Sequence, residues 1–244
     1  MKAVFFIALI SCVVACQKPA QRACWKGAGA QEKRIVPLSK FDYLDLQAHI
    51  ELVLVQDSLD FLEWEAGSNL QGFLTAELES DTLHLSNKNR CKFLRYQNGG
   101  VKATLHFTDI AELHLANSEL VSNQGSWVAN ELLLFLKEGV GKVQLQVALD
   151  KLTIRNSYGW QNLRLSGSVG ALFVDFDGTA SLQAPSLMVQ DSISFRSSSP
   201  LSSHIWADQI LLKAQLYGPG NLYYSGTPSM LLKSEYNAGK VIPN

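Results

Sequence analysis

Four aspartates in the second half of the chain have the residue type and spacing that could support catalysis. Side chains alternate along a β-strand, so Asp175 and Asp177 point to the same side, and Asp150 and Asp191 would approach them from neighbouring strands. Polysaccharide lyases and glycosidases use such outward carboxylates to bind calcium or for acid–base catalysis. However, Asp177 precedes a glycine in a common turn dipeptide, and Asp150 precedes a new apolar run as a turn residue would. We therefore favour a role in turns and keep a polysaccharide-acting enzyme as the alternative.

The histidines and the short motifs offer no other catalytic centre. No HxH or HExxH spacing is present, and His84 and His114 each lie between two leucines in an alternating run. We expect solvent-facing histidines and no metal site at His49, His84, His106, His114 and His204. There is also no GxSxG, no Walker loop and no GxGxxG followed by a helix. The sequence therefore predicts a protein without enzymatic activity and without a cofactor.

Three tryptophans suggest a binding function instead. Trp127, Trp160 and Trp206 fall in or beside connections between apolar runs, and an exposed indole ring can stack on a sugar. Packing over a corner or an end of the fold is the simpler interpretation of these rings, and we favour it. Glycan binding is the alternative hypothesis, and it requires that the indole rings be exposed.

The first residues, MKAVFFIALISCVVAC, have the form of a secretory signal. Their apolar stretch is shorter than the roughly 20 residues needed to cross a bilayer. The end of the stretch, Val13-Val14-Ala15-Cys16, resembles the bacterial lipobox, in which the cysteine is lipidated and becomes the new N-terminus. We predict a lipoprotein signal peptide over residues 1–15 and a lipid anchor at Cys16. An ordinary secretory signal cleaved near Ala15 is the alternative.

The segment that follows the signal connects the anchor to the patterned sequence. Residues 16–33 are poor in large apolar residues, and we predict a flexible tether there. Once Cys12 is removed and Cys16 is lipidated, Cys24 and Cys91 are the cysteines that remain. In an oxidising compartment they are candidates for a disulfide bridge, with two free buried thiols as the alternative.

The charge balance argues against a nucleic-acid partner. Loss of residues 1–15 removes Lys2, so 21 basic residues become 20 against 22 acidic ones, a net charge of −2. Nucleic-acid binding needs a concentrated basic patch, which the sequence lacks. The remaining residues, 34–244, are long enough for one large β domain, and we predict a single domain there.

A repeat of about 20 residues organises the second half of the chain. Apolar residues alternate within short runs, as is typical of strands, and each run ends in a small or turn-forming cluster such as Gly139-Val140-Gly141. The runs begin 19, 20, 20, 15, 23 and 21 residues apart, at Leu113, Leu132, Leu152, Leu172, Leu187, Ile210 and Leu231. Stacked units of this kind bury an apolar side that one unit alone cannot bury.

The repeat predicts an all-β fold, a parallel β-helix (β-solenoid) with coils of about 20 residues. A β-sandwich of antiparallel hairpins is the competing architecture, because it too shows strands at short, regular intervals. The first third, residues 34–89, repeats less regularly, and we expect it to be partly antiparallel or to cap the stack. Near the end of the chain, Tyr223 and Tyr224 then occupy a strand, one pointing inwards and one outwards.

Several of these features occur together in one family. They are the lipobox and tether, the start RIVPLSKFDYL at 34–44, the corner Ser166-Gly167-Ser168, and the close GPGNLYYSGTP at 218–228 followed by Asn237-Ala238-Gly239. On these residues, over about 34–242, the chain resembles the putative auto-transporter adhesin head GIN domain family. The resemblance implies a right-handed β-helical domain on cell-envelope lipoproteins, frequent in Bacteroidota. It implies no established activity and no catalytic residues.

Taken together, the patterns predict a lipid-anchored, adhesin-like binding or scaffolding protein of the cell envelope. Its partners would be the membrane, through the anchor, and a glycan or an envelope protein. We expect the outer membrane, with the periplasmic side favoured, because Gln17-Lys18-Pro19 offers no acidic run of the kind linked to surface export in that phylum.

Overall fold

Eighteen β-strands and one 3₁₀ turn at Gln71–Phe73 form the part of the protein that the structure, a computed structural model, describes: residues 26–47, 49–90 and 100–244. The strands of the first third are β1 (Gln31–Pro37), β2 (Tyr43–Gln47), β3 (Glu51–Gln56), β4 (Phe61–Gly67), β5 (Leu74–Glu79), β6 (Thr82–Asn87) and β7 (Lys102–Phe107). Those that follow are β8 (Glu112–Ala116), β9 (Leu120–Gln124), β10 (Trp127–Leu136), β11 (Val140–Asn156), β12 (Trp160–Phe176), β13 (Thr179–Ser197), β14 (Ser203–Trp206), β15 (Leu211–Leu216), β16 (Leu222–Ser225), β17 (Met230–Glu235) and β18 (Val241–Pro243). In these ranges there is no helix with the length and apolar character needed to cross a membrane.

From β8 onward the strands stack in parallel as a β-solenoid of about seven turns, with coils of about 20 residues. The first face stacks through the inward residues Leu113, Leu134, Ile154, Val174, Phe195 and Ala214. The second face stacks through Val121, Val143, Leu163, Leu182, Ser203 and Leu222. A short third face joins them at 127–129, 147–149, 167–169 and 187–189. The predicted solenoid is confirmed, and the β-sandwich alternative is wrong.

The repeat is more regular than the apolar runs suggest. In register, Leu134, Ile154, Val174 and Phe195 follow one another at 20, 20 and 21 residues. The apolar run that begins at Leu187 belongs to the third face, because Leu187 pairs with Gly167 there. Alternation has the same period on every face, so an apolar run does not reveal which face it belongs to. The irregular spacings of 15 and 23 residues have this origin.

The corners between the first and second faces lie at the predicted turn clusters. Gly139 and Gly159 have φ values of +116° and +84°, in the left-handed region that glycine adopts without strain. A β-carbon on Gly139 would collide with the Asn117 carbonyl of the corner before it, and one on Gly159 with the Gly139 carbonyl. The buried Asn156 amide donates to the carbonyl of Tyr158 at 3.0 Å. Successive corners therefore stack as closely as the strands do.

The N-terminal third is a mixed sheet, as expected, and its layers do not follow the order of the chain. Strand β2 pairs with β8 on one side and β6 on the other, and β3 likewise lies between β9 and β7. The layer of β6 and β7 thus lies outside the layer of β2 and β3, although it comes later in the sequence. Antiparallel strands continue the sheet, with β4 between β7 and β1, and β5 on β6. These strands cap one end of the solenoid.

The other end is capped by charged side chains. The inward rows of the first face end at Lys233, in register with Ala214, and at Glu235, in register with Leu216. The Glu235 carboxylate accepts hydrogen bonds from the backbone N–H of Val241 at 3.0 Å and from Lys240 Nζ at 3.1 Å. The last coil therefore places charge at two of its three inward positions, which disfavours association of the end of the stack, whereas Leu231, in register with Leu212, stays apolar and is 36% exposed.

One continuous apolar core runs along the inside of the coils. It includes Trp64 and Trp127, the largest fully buried side chains. Tyr224 packs against this core, whereas Tyr223 faces outwards and stacks on His204. The tyrosine pair therefore points one residue inwards and one outwards, as the strand prediction requires.

The described chain is ordered slightly before the predicted domain start at Arg34. Strand β1 begins at Gln31, and Ala28 is already buried in the core. The remaining N-terminal and cysteine predictions fall outside the described residues: the signal peptide at 1–15, the anchor at Cys16, and the bridge between Cys24 and Cys91.

Candidate functional site

The outward side of the second face carries a straight row of hydrogen-bonding side chains. Residues alternate in and out along its strands, so Gln144 and Arg164 point outwards between buried neighbours. Parallel pairing places one outward residue of each coil in line, in the order Ser122, Gln144, Arg164, Gln183, His204 and Tyr223. Neighbours in the row are about 4.8 Å apart, which is the spacing of hydrogen-bonded strands.

A groove of about 700 Å³ follows this row across the middle coils. A second outward row borders it, in which Gln146 is in register with Ser166 and Ser166 with Ser186. Amide and hydroxyl groups therefore line both sides of the groove. We name it the amide groove and define it by Ser122, Gln144, Gln146, Arg164, Ser166 and Gln183.

The floor of the amide groove is held by Asn123. The register of β9 and β11 ends at Ser122, and the Asn123 side chain then takes the place of the missing strand partner. Its Nδ2 donates to the Gln146 carbonyl at 2.8 Å, and its Oδ1 accepts from the Gln146 backbone N–H at 2.9 Å. The backbone beneath Gln146 stays paired, so the side chains above it project from a fixed base.

The amide groove has no negative charge. The second-face segments 120–124, 140–146, 160–166, 179–186, 203–206 and 222–225 contain no aspartate or glutamate, but they contain Lys142 and Arg164. Arg164 is exposed, and none of the described carboxylates lies within ion-pair distance of it. The first face differs, because its Arg196 is paired with two aspartates. The guanidinium of Arg164 is thus available to an acidic group from outside.

Two of the three tryptophans are exposed on the outward side of the second face, outside the residues that line the groove. Trp160 is 56% exposed and lies on the outward side of β12, four residues before Arg164. Trp206 is 40% exposed and lies beside Pro185 of the coil before it. Trp127 is 1% exposed and packs inside the solenoid. Burial supports packing for Trp127, whereas Trp160 and Trp206 keep part of their rings exposed.

An aromatic pair extends the row towards the C-terminal coils. The rings of His204 and Tyr223 stack with centroids 4.8 Å apart and planes inclined by 11°. The Asn221 amide donates to the Tyr223 hydroxyl at 3.1 Å, which fixes the outer ring. The row continues to Ile242 of β18, which is in register with Tyr223.

Asp175 and Asp177 do not form a free carboxylate pair. Arg196 Nη1 donates to Asp175 Oδ1 at 2.5 Å and to Asp177 Oδ1 at 2.8 Å. The hydrogen bonds that Arg196 donates to Asp175 and then to Asp177 raise the pKa of its guanidinium, so it stays charged. Two carboxylates that are ion-paired with one arginine do not form the free pair that glycoside hydrolysis uses.

Asp150 and Asp191 lie at another corner. They are on either side of Gly170, whose β-carbon would meet the Asp150 carbonyl oxygen and the Asp191 carboxylate. This corner joins the third face to the first, whereas Asp177 lies where the first face turns into the second. The four aspartates are thus divided between two corners, which supports the turn interpretation of Asp150 and Asp177.

The histidines point outwards, but most of them contact a carboxylate. Three pairs lie within hydrogen-bond distance, His84 with Asp45 (3.2 Å), His106 with Asp57 (3.0 Å) and His114 with Glu112 (3.0 Å). The pKa of Asp57 lies below its usual range because its carboxylate accepts the Ser58 backbone N–H and, secondly, a hydrogen bond from His106. Within the described ranges, no group of three or more His, Cys, Asp or Glu is arranged to hold a metal ion.

Sequence reasoning missed the amide groove, although a signal for it was present. Gln144, Arg164 and Gln183 occupy polar positions of successive alternating runs, 20 and 19 residues apart. That spacing is close to the coil length, so it is compatible with one aligned row of side chains on the solenoid. What the sequence could not supply was the register, which decides whether they share one face.

The fold and the groove define a class of protein, a β-solenoid with a polar outward face. Within that class, a family model described as putative auto-transporter adhesin, head GIN domain, matches residues 40–228, and the chain belongs to this family. The match confirms the resemblance carried by the start and close of the domain. No curated protein sequence matches the chain.

Solved structures of similar fold include proteins from Bacteroides and Parabacteroides. A putative adhesin from Bacteroides fragilis NCTC 9343 superposes with a TM-score of 0.79 at 17% identity, covering 88% of this chain and 97% of its own. A putative lipid binding protein from Parabacteroides distasonis ATCC 8503 has a TM-score of 0.63 at 20% identity, with 88% and 98% covered. A putative adhesin from Parabacteroides merdae ATCC 43184 has a TM-score of 0.62 at 16% identity, with 89% and 98% covered. At these identities the likeness concerns the fold alone.

Proposed function

We propose that this protein is a non-enzymatic, adhesin-like binding protein of the cell envelope, and that the amide groove binds an extended glycan that carries acidic sugars. The observation that carries the proposal is the second face itself. It aligns amide and hydroxyl groups in register, contains no carboxylate, and leaves Arg164 without an ionic partner.

The chemistry of the groove suits such a ligand. Glutamine amides both donate and accept hydrogen bonds, so Gln144 and Gln183 can bind the hydroxyls of a sugar in either direction. A guanidinium binds a carboxylate or sulfate through two parallel hydrogen bonds. The exposed rings of Trp160 and Trp206 lie on the same outward side beyond the lining of the groove, where they offer apolar surfaces for the C–H face of a further pyranose of an extended glycan.

The family name and the solved relatives support a binding role rather than catalysis. Two of the solved structures are described as putative adhesins and one as a putative lipid binding protein. The predicted alternative, a polysaccharide-acting enzyme that uses outward carboxylates, would need Asp175 free, and that residue is ion-paired with Arg196.

The location follows from the N-terminal residues. We propose cleavage of the signal peptide at residues 1–15, lipidation at Cys16, a tether between Cys16 and the buried Ala28, and anchoring to the outer membrane with the periplasmic side favoured. Metabolic labelling with palmitate tests the anchor, since a Cys16→Ala variant that still took up label would contradict it. We also propose a bridge between Cys24 and Cys91. Two free thiols in the denatured, unreduced protein would refute that bridge.

Polymer binding tests the function of the groove. The full chain is titrated with a polyuronate such as alginate and with neutral dextran, and binding is followed by calorimetry. We expect the polyuronate to bind more tightly, with an affinity that falls as salt is raised, because the contact to Arg164 is ionic. Neither polymer should be shortened during the experiment, as monitored by the release of reducing ends.

Matched arginine variants locate the site. Arg164→Met should weaken polyuronate binding by about tenfold, because a charge-assisted hydrogen bond contributes roughly 1.5–3 kcal/mol. Arg155→Met removes an equally outward and exposed arginine from the first face and should leave binding within about twofold. Equal losses in the two variants would place the binding outside the amide groove.

A further inference from the structure

A second recess, on the first face, has a different character. Asp45 lies on the outward side of β2, with His84 of β6 and His114 of β8 in register on either side. Together with Lys137, these neighbours cover the carboxylate, so that the Asp45 side chain is only 9% exposed. The recess has a volume of about 360 Å³, and we name it the Asp45 recess after its lining residues Tyr43, Asp45, Thr82, His84, His114 and Lys137.

Only one oxygen of the Asp45 carboxylate is satisfied. Oδ2 accepts a hydrogen bond from Gln47 Nε2 at 2.8 Å and lies 3.2 Å from His84 Nδ1. Oδ1 is buried and accepts no hydrogen bond from the described residues. Lys137 Nζ forms an ion pair with Oδ1 at 3.5 Å, which is longer than a normal hydrogen bond. Oδ1 therefore has an ionic partner but keeps unused acceptor capacity, which a hydroxyl donor that enters the recess beside Lys137 can use.

The charges around Oδ1 favour a neutral ligand. Lys137 offsets the charge of Asp45, and Glu112 lies 3.0 Å from His114 Nε2. An added anion would meet the two carboxylates, and an added cation would compete with Lys137 for the same oxygen. A metal ion would need more ligands than the described side chains assemble here. Hydroxyl groups meet neither obstacle, because they donate to Oδ1 and accept from Lys137 or a histidine.

An apolar neighbour makes the recess suitable for a sugar ring. Beyond Lys137 lies a second recess of about 490 Å³, whose lining includes Phe135 and Tyr158. The ring of Phe135 meets His114 edge-on, with centroids 5.5 Å apart, and Tyr158 is 72% exposed. Aromatic faces of this kind pack against the C–H side of a pyranose while polar groups bind its hydroxyls.

We propose that the Asp45 recess binds one neutral pyranose unit, whose hydroxyls donate to Asp45 Oδ1 and accept from Lys137. This site is separate from the amide groove, since it lies on the first face and takes an uncharged sugar. It does not depend on the acidic glycan proposed for the second face.

The test uses the full chain and three simple probes, the methyl glycosides of glucose, galactose and mannose. Saturation-transfer NMR detects binding, and chemical-shift titration measures the affinity. We expect at least one glycoside to bind, and Asp45→Asn to weaken it by about tenfold or more, because the hydrogen bond to a charged acceptor is lost without a change of shape. Failure of all three glycosides to bind overturns the proposal, as does equal binding by the Asp45→Asn variant.

Control variants separate a lost contact from a lost fold. Asp175→Asn makes the same change on the same face, outside the recess, and should leave glycoside binding within about twofold. If Asp45→Asn does not fold, as judged by circular dichroism, the half-exposed Tyr43→Phe and Lys137→Met replace it. At least one of these must then weaken binding several-fold, and unchanged binding in both overturns the proposal.

Crossed measurements distinguish this site from the amide groove. Arg164→Met should leave glycoside binding unchanged, and Asp45→Asn should leave polyuronate binding unchanged. Loss of glycoside binding in the Arg164→Met variant would show that the sugar binds in the amide groove and would overturn the assignment. Binding of putrescine or inorganic phosphate in place of the glycosides would overturn the chemical class.

Discussion

Gly167 lies so close to Val147 of the preceding coil that a β-carbon on Gly167 would overlap the Val147 carbonyl oxygen. Its φ of +104° is also rare for any residue with a side chain. Both facts have one cause. The second face turns into the third at Gly167, while successive coils stay at the spacing of hydrogen-bonded strands, about 4.8 Å. We expect Gly167→Ala to lower the free energy of unfolding of the full chain by at least about 2 kcal/mol, measured by urea denaturation.

A second glycine provides the control for that prediction. Gly72 lies in the 3₁₀ turn, and a β-carbon there would have no heavy atom within 4 Å. Its φ lies outside the left-handed region. Gly72→Ala should therefore change the unfolding free energy by less than about 0.5 kcal/mol. Similar losses in the two variants would mean that stacking at the corner is not what Gly167 provides.

The inward rows predict where the stability of the coils comes from. Leu134 is fully buried, and it lies in register between Leu113 and Ile154. Truncation to alanine removes buried methyl groups and leaves a cavity between two coils that cannot close, because the backbone spacing is fixed by hydrogen bonds. We expect Leu134→Ala to cost about 2–5 kcal/mol. Leu59→Ala, at a leucine that is 68% exposed, should cost less than about 0.5 kcal/mol, and a comparable loss there would contradict the burial argument.

The same regularity explains how much of the fold could be predicted from the sequence. Alternating apolar residues and glycine-rich corners recur at the coil length, so the solenoid and its corners at Gly139 and Gly159 are local properties of the chain. The sequence did not reveal that the run at Leu187 lies on the third face, because inward positions look alike on every face. The layer order of β6, β7, β2 and β3 depends on long-range pairing, which leaves no periodic trace.

The two candidate sites were harder to predict for related reasons. The amide groove needs the register between coils, which brings Gln144, Arg164 and Gln183 into one row although each is an ordinary polar strand residue alone. The Asp45 recess depends on the reversed layer order, since His84 comes to lie beside Asp45 only because β6 is placed outside β2. The periodicity of the sequence predicts individual strands, whereas both candidate sites depend on which distant strands pair with each other.

The charged cap at the C-terminal end should be visible in acid titration. The pKa of Glu235 is lowered from its ordinary value of 4.5, first by the backbone N–H of Val241 and then by the Lys240 side chain. A lowered carboxyl pKa contributes stability that is present above pH 4.5 and is lost as the pH falls through the value in the folded protein. NMR titration of the carboxyl carbon should therefore give a pKa below 4.5 for Glu235.

A single substitution separates the two causes of that shift. Lys240→Gln removes the weaker contribution and leaves the Val241 N–H in place, so the pKa of Glu235 should rise only part of the way to its ordinary value. A complete return to the ordinary value would show that the backbone hydrogen bond contributes nothing. Glu235→Gln should abolish the loss of stability that this group causes between pH 4.5 and its depressed pKa.

The cap should also keep the protein from stacking end to end. Strand β17 pairs with β15 along one edge, and its inward positions Lys233 and Glu235 replace the apolar side chains of the preceding coil. Converting both to leucine would extend the inner rows to an exposed end, where each buried leucine contributes about 1.5–3 kcal/mol to association. We expect the double variant Lys233→Leu, Glu235→Leu to form oligomers that grow with concentration in sedimentation velocity.

Ser234→Leu adds the same side chain on the outward side of β17, so it should associate much less. A double variant that sediments like the native chain at every concentration would show that the cap does not prevent association, and equal association by Ser234→Leu would show that hydrophobicity alone drives it.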